Sequence, residues 1–298
     1  MNIAVIITCF NRKARTLKSL QSLFHAEEYY NSHNPERISV RVFLTDDGCT
    51  DGTANAIREQ FHDKAIDIIQ GDGNLFWAGG MSLAWQAASD IAPERDLILL
   101  YNDDTLLNAD AFCELLSTRN YVMEHTGKKG VYAGVCSSSD GKEITYGGKN
   151  YHKGIVSRSY TVLPTGTPQP CYMTNANIML IEREVEERIG RLDNRYTHSA
   201  ADWAYGIEAN KAGFPVYTTA NVCGVCDNDH ATEEMEAHKV IGMSIEERRK
   251  YYSSPLHSRR DTLIFLRQYN KTKYIALYII HSLAIYMPRL YFGLLSKR

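Results

Sequence analysis

The sequence predicts an α/β protein with a mostly parallel central sheet and helices on both of its faces. Three observations carry this reading. Apolar runs of strand length alternate with longer segments of helical period through residues 1–105. Most of those runs end in a cluster of Asp, Asn, Gly and Thr, as strands do when their carboxyl ends open on one edge. A chain of 298 residues, 44% apolar, is long enough for one large or two modest domains with a real core.

The elements follow in order. Ile3 to Thr8 is an unbroken apolar strand. The opening Met1–Ile7 is too short for a secretory h-region and runs straight into a polar turn, so it reads as this first buried strand. Lys13 to Tyr30 sets Leu17, Leu20, Leu23 and Phe24 on one helical face. Ile38 to Thr45 alternates Val40, Val42 and Leu44 as a second strand. A helix from Thr53 to Phe61, a strand from Ala65 to Ile69, a helix from Gly79 to Ile91 and a strand from Leu97 to Leu100 complete the repeat. Repeated βα units imply parallel strands with ligands beyond their carboxyl ends.

The second half is less regular. Val131 to Cys136 reads as a strand, and Ile144 to Leu163 as a hairpin or meander. Asn177 to Ile181 is a strand, and Ala200 to Ala212 a helix stopped by Gly213 and Pro215. Val216 to Val222 is a further strand, and the polar segment from Cys226 to Ile241 reads as a mobile loop. Tyr274 to Leu295 is apolar and aromatic, with Lys271 and Lys273 before it and Lys297 and Arg298 after it. His281, Pro288 and Arg289 interrupt it, against a membrane span. It reads as a helix in the interface of an anionic leaflet; the other reading is packing on its own domain or on a second copy.

Composition narrows the class. A formal net charge of −2 gives no support for a nucleic-acid partner. Seven cysteines, an odd number with several on strands, point to a reducing compartment. Cys223 and Cys226 form a single C-x-x-C with no second pair nearby, so they read as core or loop thiols rather than zinc ligands.

Four polar clusters sit at strand ends: Thr8-Cys9-Phe10-Asn11-Arg12, Asp46 to Thr53, Gly71 to Met81, and Asn102-Asp103-Asp104-Thr105. A carboxylate after the second strand can accept the imide N–H of a pyrimidine or bind a ribose hydroxyl. The glycines of the third cluster allow close backbone approach and open a helix whose N-terminus favours anions. Asn102 and Asp104, two residues apart, point the same way in extended chain and can reach one hard divalent cation through oxygen. Read singly, each cluster is also an ordinary strand-to-loop turn.

Taken together, Thr-x-Phe-Asn-Arg, Asp-Asp-Gly-x-Thr-Asp-Gly-Thr, Gly-x-Leu-Phe-Trp-Ala-Gly-Gly-Met and Asn-Asp-Asp-Thr resemble the glycosyltransferase family 2 enzymes. The likeness spans about residues 1–230 and is greatest to the rhamnosyl- and galactofuranosyltransferases of bacterial surface polysaccharide. It implies a GT-A fold, a catalytic domain at 1–243 and basic, aromatic helices at 244–298. Within the domain, residues 1–105 form the nucleotide-binding half and 106–243 the acceptor-binding half. It implies an inverting, metal-dependent transfer from a nucleotide-diphosphate sugar, UDP- or dTDP-linked, to a saccharide or polyprenyl-diphosphate-linked acceptor. The enzyme would be cytoplasmic and peripheral on the inner membrane, with a homodimer as another use of the tail.

Residue by residue, the resemblance assigns Asp46 and Asp47 to the nucleoside. Thr8, Asn11, Arg12, Asn74, Trp77, Gly80, Met81 and Asp103 line the donor site, with Trp77 reading equally as core and Asp103 as a bystander of the turn. Asn102 and Asp104 hold Mg²⁺ or Mn²⁺. The third ligand in this fold is often a late His, for which His230 is the candidate, although the family register places such a His nearer Gly224 or Cys226; the other reading of His230 is a solvated loop histidine. The segment from His198 to Gly213 resembles the family's catalytic-base helix and puts the base at Asp202; the other reading of Asp202 is a helix N-terminal carboxylate that complements the dipole. Ala204 replaces a second Asp of that pattern and Glu208 replaces its Arg. Asn175 and Asn177 either meet sugar or satisfy local backbone. Two rivals stand beside this reading. A nucleotidyltransferase would need a Gly-rich loop after the first strand, where this chain has Thr8-Cys9-Phe10-Asn11-Arg12. A non-catalytic carbohydrate- or nucleotide-binding relative draws its support from Ala204 and Glu208.

Overall fold

A computed structural model describes residues 1–151, 159–228, 233–257 and 259–295. The chain divides into two compact units. The first is Met1–Asn194 with Ala201–Asp227, the second Arg195–Ala200 with Asn228–Arg298.

The first unit opens with the expected repeat: β1 (Asn2–Cys9), α1 (Lys13–His33), β2 (Ser39–Asp46), α2 (Thr53–Gln60), β3 (Ile66–Gln70), α3 (Phe76–Ile91) and β4 (Leu97–Tyr101). There follow β5 (Leu106–Leu107), α4 (Ala111–Thr126), β6 (Val131–Ser137), β7 (Ile144–Tyr146), β8 (Gly148–Tyr151), β9 (Ser159–Thr161), β10 (Gln169–Pro170) and β11 (Met173–Thr174). The unit ends with β12 (Ile178–Glu182), α5 (Arg183–Ile189), α6 (Ala201–Lys211) and β13 (Val216–Val225).

The main sheet has the order β10-β13-β6-β12-β4-β1-β2-β3. Strands β3, β2, β1 and β4 are parallel, as the βα pattern predicts. β12 enters antiparallel between β4 and β6, so the sheet is mixed though largely parallel. Register matters more than order for the site. Cys9 pairs with Asp46 and Asp46 with Gln70, so the ends of β1, β2 and β3 are level. Ile6 pairs with Leu100, which brings Asn102 to the same edge, beside the end of β1. The central strands are fully buried, with Val5, Val42, Leu99 and Leu180 among core residues held between sheet and helices. A second sheet, β11-β8-β9, stands beside this one.

Several elements differ from expectation. α3 begins at Phe76, not Gly79, because the Asp47 carboxylate accepts from the Leu75 and Phe76 N–H groups and starts the helix early. α4 was not anticipated, although Phe112, Leu115, Leu116 and Val122 are spaced for one buried helical face and Gly127 ends it in the left-handed region.

The second unit holds α7 (Glu233–Ile241), α8 (Ile245–Ser253), α9 (Arg260–Tyr269), α10 (Lys271–Tyr286) and α11 (Pro288–Leu295). α7 corrects the expected loop over this stretch: Val240 is fully buried in a cluster with Tyr252, Ala284, Tyr291 and Phe292. The apolar tail forms two helices. Pro288 has no N–H to continue α10 and is accommodated at the start of α11. Ile275, Tyr278 and Tyr286 of α10 are exposed. Among the described residues no helix is long and apolar enough to cross a membrane.

Candidate active site

The site forms where the ends of β1, β2 and β4 meet. Asp46, last residue of β2, is buried and accepts the Cys49 N–H at 2.7 Å, which tightens the turn that follows. Asp47 is also buried. Its Oδ1 accepts from Gly73 N at 2.9 Å and its Oδ2 from Leu75 N at 3.0 Å and Phe76 N at 3.1 Å. Asp47 thus binds its own chain, anchoring the Gly-rich loop to the start of α3. A Cβ on Gly48 would lie 3.0 Å from the Gly73 Cα, and Gly48 has φ +78°, so this crossing of two loops needs glycine. Asn11, at φ 51°, accepts from Thr50 N at 2.8 Å and joins the β1 end to the β2 turn. Asn74 is exposed on the loop between β3 and α3, its N–H donating to Asp72 at 2.8 Å.

Thr8 is half-buried at the end of β1, under α3. A Cβ on Gly80 would fall 2.1 Å from Thr8 Oγ1, and the Gly80 carbonyl accepts from Thr45 Oγ1 at 2.8 Å. Gly80 therefore lets α3 lie close on the sheet, and Met81 beside it is fully buried. Trp77, one turn earlier, is half-buried and reaches the edge: its Nε1 donates to Asn102 Oδ1 at 2.8 Å.

The Asn102-Asp103-Asp104 turn is held from several sides. The Asn102 carbonyl accepts from Ser19 Oγ at 3.2 Å, and its N–H donates to the Asn177 carbonyl at 3.2 Å. Arg12 Nη1 donates to Asp103 Oδ1 at 3.2 Å and to Asp104 Oδ2 at 2.7 Å. Asp103 is buried and also accepts from Thr16 Oγ1 at 3.2 Å. Burial lifts its pKa to about 6, opposed by the positive charge of Arg12. Asp104 is the more open carboxylate, its side chain 24% exposed. The buried Cys226 thiol donates to Asp104 Oδ1 at 3.8 Å.

Asp202 sits in the first turn of α6. Its Oδ1 accepts from Trp203 N at 2.9 Å and its Oδ2 from Ala176 N at 3.2 Å. Burial raises its pKa above the usual carboxylate value, while these N–H groups and the Lys149 ammonium act the other way. Ala204 is buried, and Glu208 pairs with Lys211 at 3.0 Å on the same helix. Asn177 is buried and its amide donates to Cys226 Sγ at 3.3 Å, a local role. The Asn175 N–H bonds the Gly147 carbonyl, and the side-chain oxygen of Asn175 is buried without a hydrogen-bond partner in this structure.

The structure brings Thr8, Asn11, Arg12, Asp46, Asp47, Trp77, Asn102, Asp103 and Asp104 to one edge, and His230 lies outside the described residues. Thr16, Ser19 and Lys149 are not among the sequence candidates, and Cys226, read there as a core or loop thiol, is buried and reaches Asp104. Thr16 and Ser19 carried a signal, since they follow the first polar cluster on the helix it opens. Among the described residues no three His, Cys, Asp or Glu side chains gather around a metal position. Asp104 and Asn102 are the residues here that could hold a hard cation, since both carry side-chain oxygen at the strand end; Asn102 Oδ1 already accepts from Trp77 and Asp104 Oδ2 from Arg12.

The chain matches the family model described as Glycosyltransferase like family 2 over residues 1–253. Among solved structures it resembles a mannosyltransferase from Pyrobaculum calidifontis in complex with GDP-Man and Mn²⁺, with TM-score 0.53 and 15% identity over 99% of this chain and 78% of that one. It also resembles TarS from S. aureus in complex with UDP, with TM-score 0.54 and 12% identity over 84% of this chain and 68% of that one. GalNAc-T7 with UDP, GalNAc and Mn²⁺ matches at TM-score 0.51 and 10% identity, over 76% of this chain and 43% of that one. No curated protein matches the chain in sequence. Strand order, strand-end clusters and family model agree: the protein belongs to the glycosyltransferase-like family 2 and has the GT-A fold.

Proposed function

We propose that the protein is an inverting, metal-dependent glycosyltransferase that moves a sugar from a nucleotide-diphosphate donor to a hydroxyl of a saccharide acceptor. One observation carries the reading. The Ala176-Asn177 segment bonds Asp202 through the Ala176 N–H and the Asn102 turn through the Asn177 carbonyl. A base and a metal-type motif are thereby tied to two consecutive residues.

In this mechanism the catalytic machinery lies in residues 1–243. Asp46 and the β1 and β2 turns receive the nucleoside, and the loop that Asp47 anchors sets the floor of the donor site. Asp104 and Asn102 would hold Mg²⁺ or Mn²⁺, which when bound supplies charge neutralisation at the diphosphate leaving group. His230 is proposed as a further ligand. Arg12 releases Asp104 and turns its guanidinium to the phosphates. Asp202 takes the proton from the acceptor hydroxyl as it attacks the anomeric carbon. Its two N–H partners leave carboxylate lone pairs free for that proton.

The donor is a UDP- or dTDP-sugar in this reading and the acceptor a lipid-linked saccharide of bacterial surface polysaccharide. Residues 244–298 would hold the enzyme on the cytoplasmic leaflet, with Lys271, Lys273 and Arg289 near the exposed Ile275, Tyr278, Tyr286 and Met287. A thermal-shift screen of nucleotides and nucleotide sugars, with and without Mn²⁺, tests the donor assignment. A ligand that binds the folded state raises the melting temperature, and here only nucleotide with Mn²⁺ should do so strongly. No shift with any nucleotide sugar would overturn the reading.

A further inference from the structure

β8 contributes a side chain that the donor site does not use. Lys149 pairs across β8 with Met173 of β11 and Thr161 of β9, so its backbone is fixed on both sides. Its Nζ lies 4.9 Å from the centroid of the Trp203 ring, and the side chain is half-buried. Trp203 follows Asp202 and gives Asp202 its own N–H. The next strand, β11, holds the same helix: Thr174 Oγ1 donates to the Asp202 carbonyl at 3.2 Å. A Cβ on Gly206 would come 3.0 Å from Thr174 Oγ1, so α6 packs tightly there.

We propose that Lys149, seated on the Trp203 indole, is the positioning residue for Asp202, its ammonium supplying the fixed positive charge against which the carboxylate is held. The inference rests on the reading of Asp202 as the base. An indole face attracts an ammonium and orders an otherwise flexible side chain. Desolvation works against the charge on Lys149, and Asp202 is the carboxylate that sustains it. The relation is reciprocal, since the Lys149 charge also acts on Asp202, against the effect of burial. Of the elements packed on α6, β11 offers the Asp202 backbone carbonyl a hydroxyl and no charged side chain, and β13, with Tyr217 and Cys223 as its titratable side chains, carries no Asp, Glu, Lys, Arg or His. Glu186 on α5 is spent on Trp85, Ser89 and Arg95. On α6 itself, Glu208 is paired with Lys211. A base in this position needs enough ionised form to act and enough basicity to take a proton; burial and two N–H groups set most of that balance, and a cation on a rigid strand adjusts it.

The test is a carboxyl ¹³C NMR titration of the full chain labelled at aspartate, with Asp202→Asn identifying the resonance. Lys149→Met should move the Asp202 midpoint upward, because loss of the cation disfavours the carboxylate. Lys149→Arg should leave it near wild type. The acid limb of donor hydrolysis should move with the midpoint, while donor affinity by calorimetry stays unchanged. Trp203→Leu, which removes the seat but not the charge, should give a smaller upward move and serves if Lys149→Met fails to fold. An unchanged midpoint in a folded Lys149→Met protein overturns the proposal. Near-normal turnover by Asp202→Asn would instead remove the base assignment and leave the titration coupling standing.

Discussion

The Arg12 guanidinium donates to Asp104 Oδ2 at 2.7 Å, so the most open carboxylate of the strand-end motif is already paired with a cation of the chain itself. Arg12 is itself 47% exposed, so the pair is screened and able to exchange. In the proposed mechanism an arginine so placed competes with a divalent cation for Asp104 and moves to phosphate when the donor binds. Arg12→Ala should therefore bind Mn²⁺ alone more tightly than wild type and bind nucleotide with Mn²⁺ more weakly. Calorimetry of the two titrations checks this; parallel changes in both would contradict it.

The contact between α3 and β1 has no spare room. Gly80→Ala places a methyl 2.1 Å from Thr8 Oγ1 and 2.8 Å from its Cβ, on the rigid end of a β-branched residue. Overpacking of this kind costs about 1–3 kcal/mol. The melting temperature of Gly80→Ala should fall, and adding Thr8→Ala should recover part of the loss. Additive losses in the double variant would contradict the close approach.

In the second unit, Asp261 Oδ2 accepts from the N–H groups of Thr197, His198 and Ser199 at 3.0, 2.7 and 2.9 Å. Asp261 is buried on α9. Three charge-assisted bonds on one oxygen fix the segment just before α6. Asp261→Ala strands those donors and should cost about 3 kcal/mol. Denaturant unfolding would measure the loss, and amide exchange at 197–199 should accelerate more than in the strands of the main sheet. Unchanged exchange there would show that the carboxylate does not hold the segment.

The pH dependence follows from Asp202. Its pKa is raised above 3.8 by burial, so the folded protein retains this proton at pH values where the unfolded chain has lost it. Stability from this group therefore falls as pH rises from the unfolded value through the folded one. In the proposed mechanism activity runs the other way, because only the ionised form of Asp202 accepts a proton. Turnover should rise with pH through a midpoint above the ordinary aspartate range. A pH profile of donor hydrolysis reads that limb, and an acid limb at or below 3.8 would contradict the environment described for Asp202.

The edge cluster was legible because the βα repeat fixes where strands end, and Asp46, Asn102 and Asp104 are polar at those ends. The partners of these residues were not legible. Asp47 and Asp46 are identical in sequence terms, yet Asp47 spends both oxygens on the loop that opens α3. Lys149 lies in a short strand of alternating polar residues, and nothing in its neighbours announces Trp203, 54 positions away in sequence. α7 was hidden for a different reason. Its segment is polar, and the helix contributes Val240 to a core supplied by residues from Tyr252 to Phe292. Tertiary packing, not local pattern, decides such elements.

The most direct test of the account is the Asp202→Asn protein. Transfer or donor hydrolysis is measured beside calorimetric binding of the nucleotide sugar with Mn²⁺. The account predicts loss of turnover by about a hundredfold or more with donor affinity nearly unchanged, since the residue acts on the acceptor proton. Near-normal turnover in a protein that binds donor normally would contradict it.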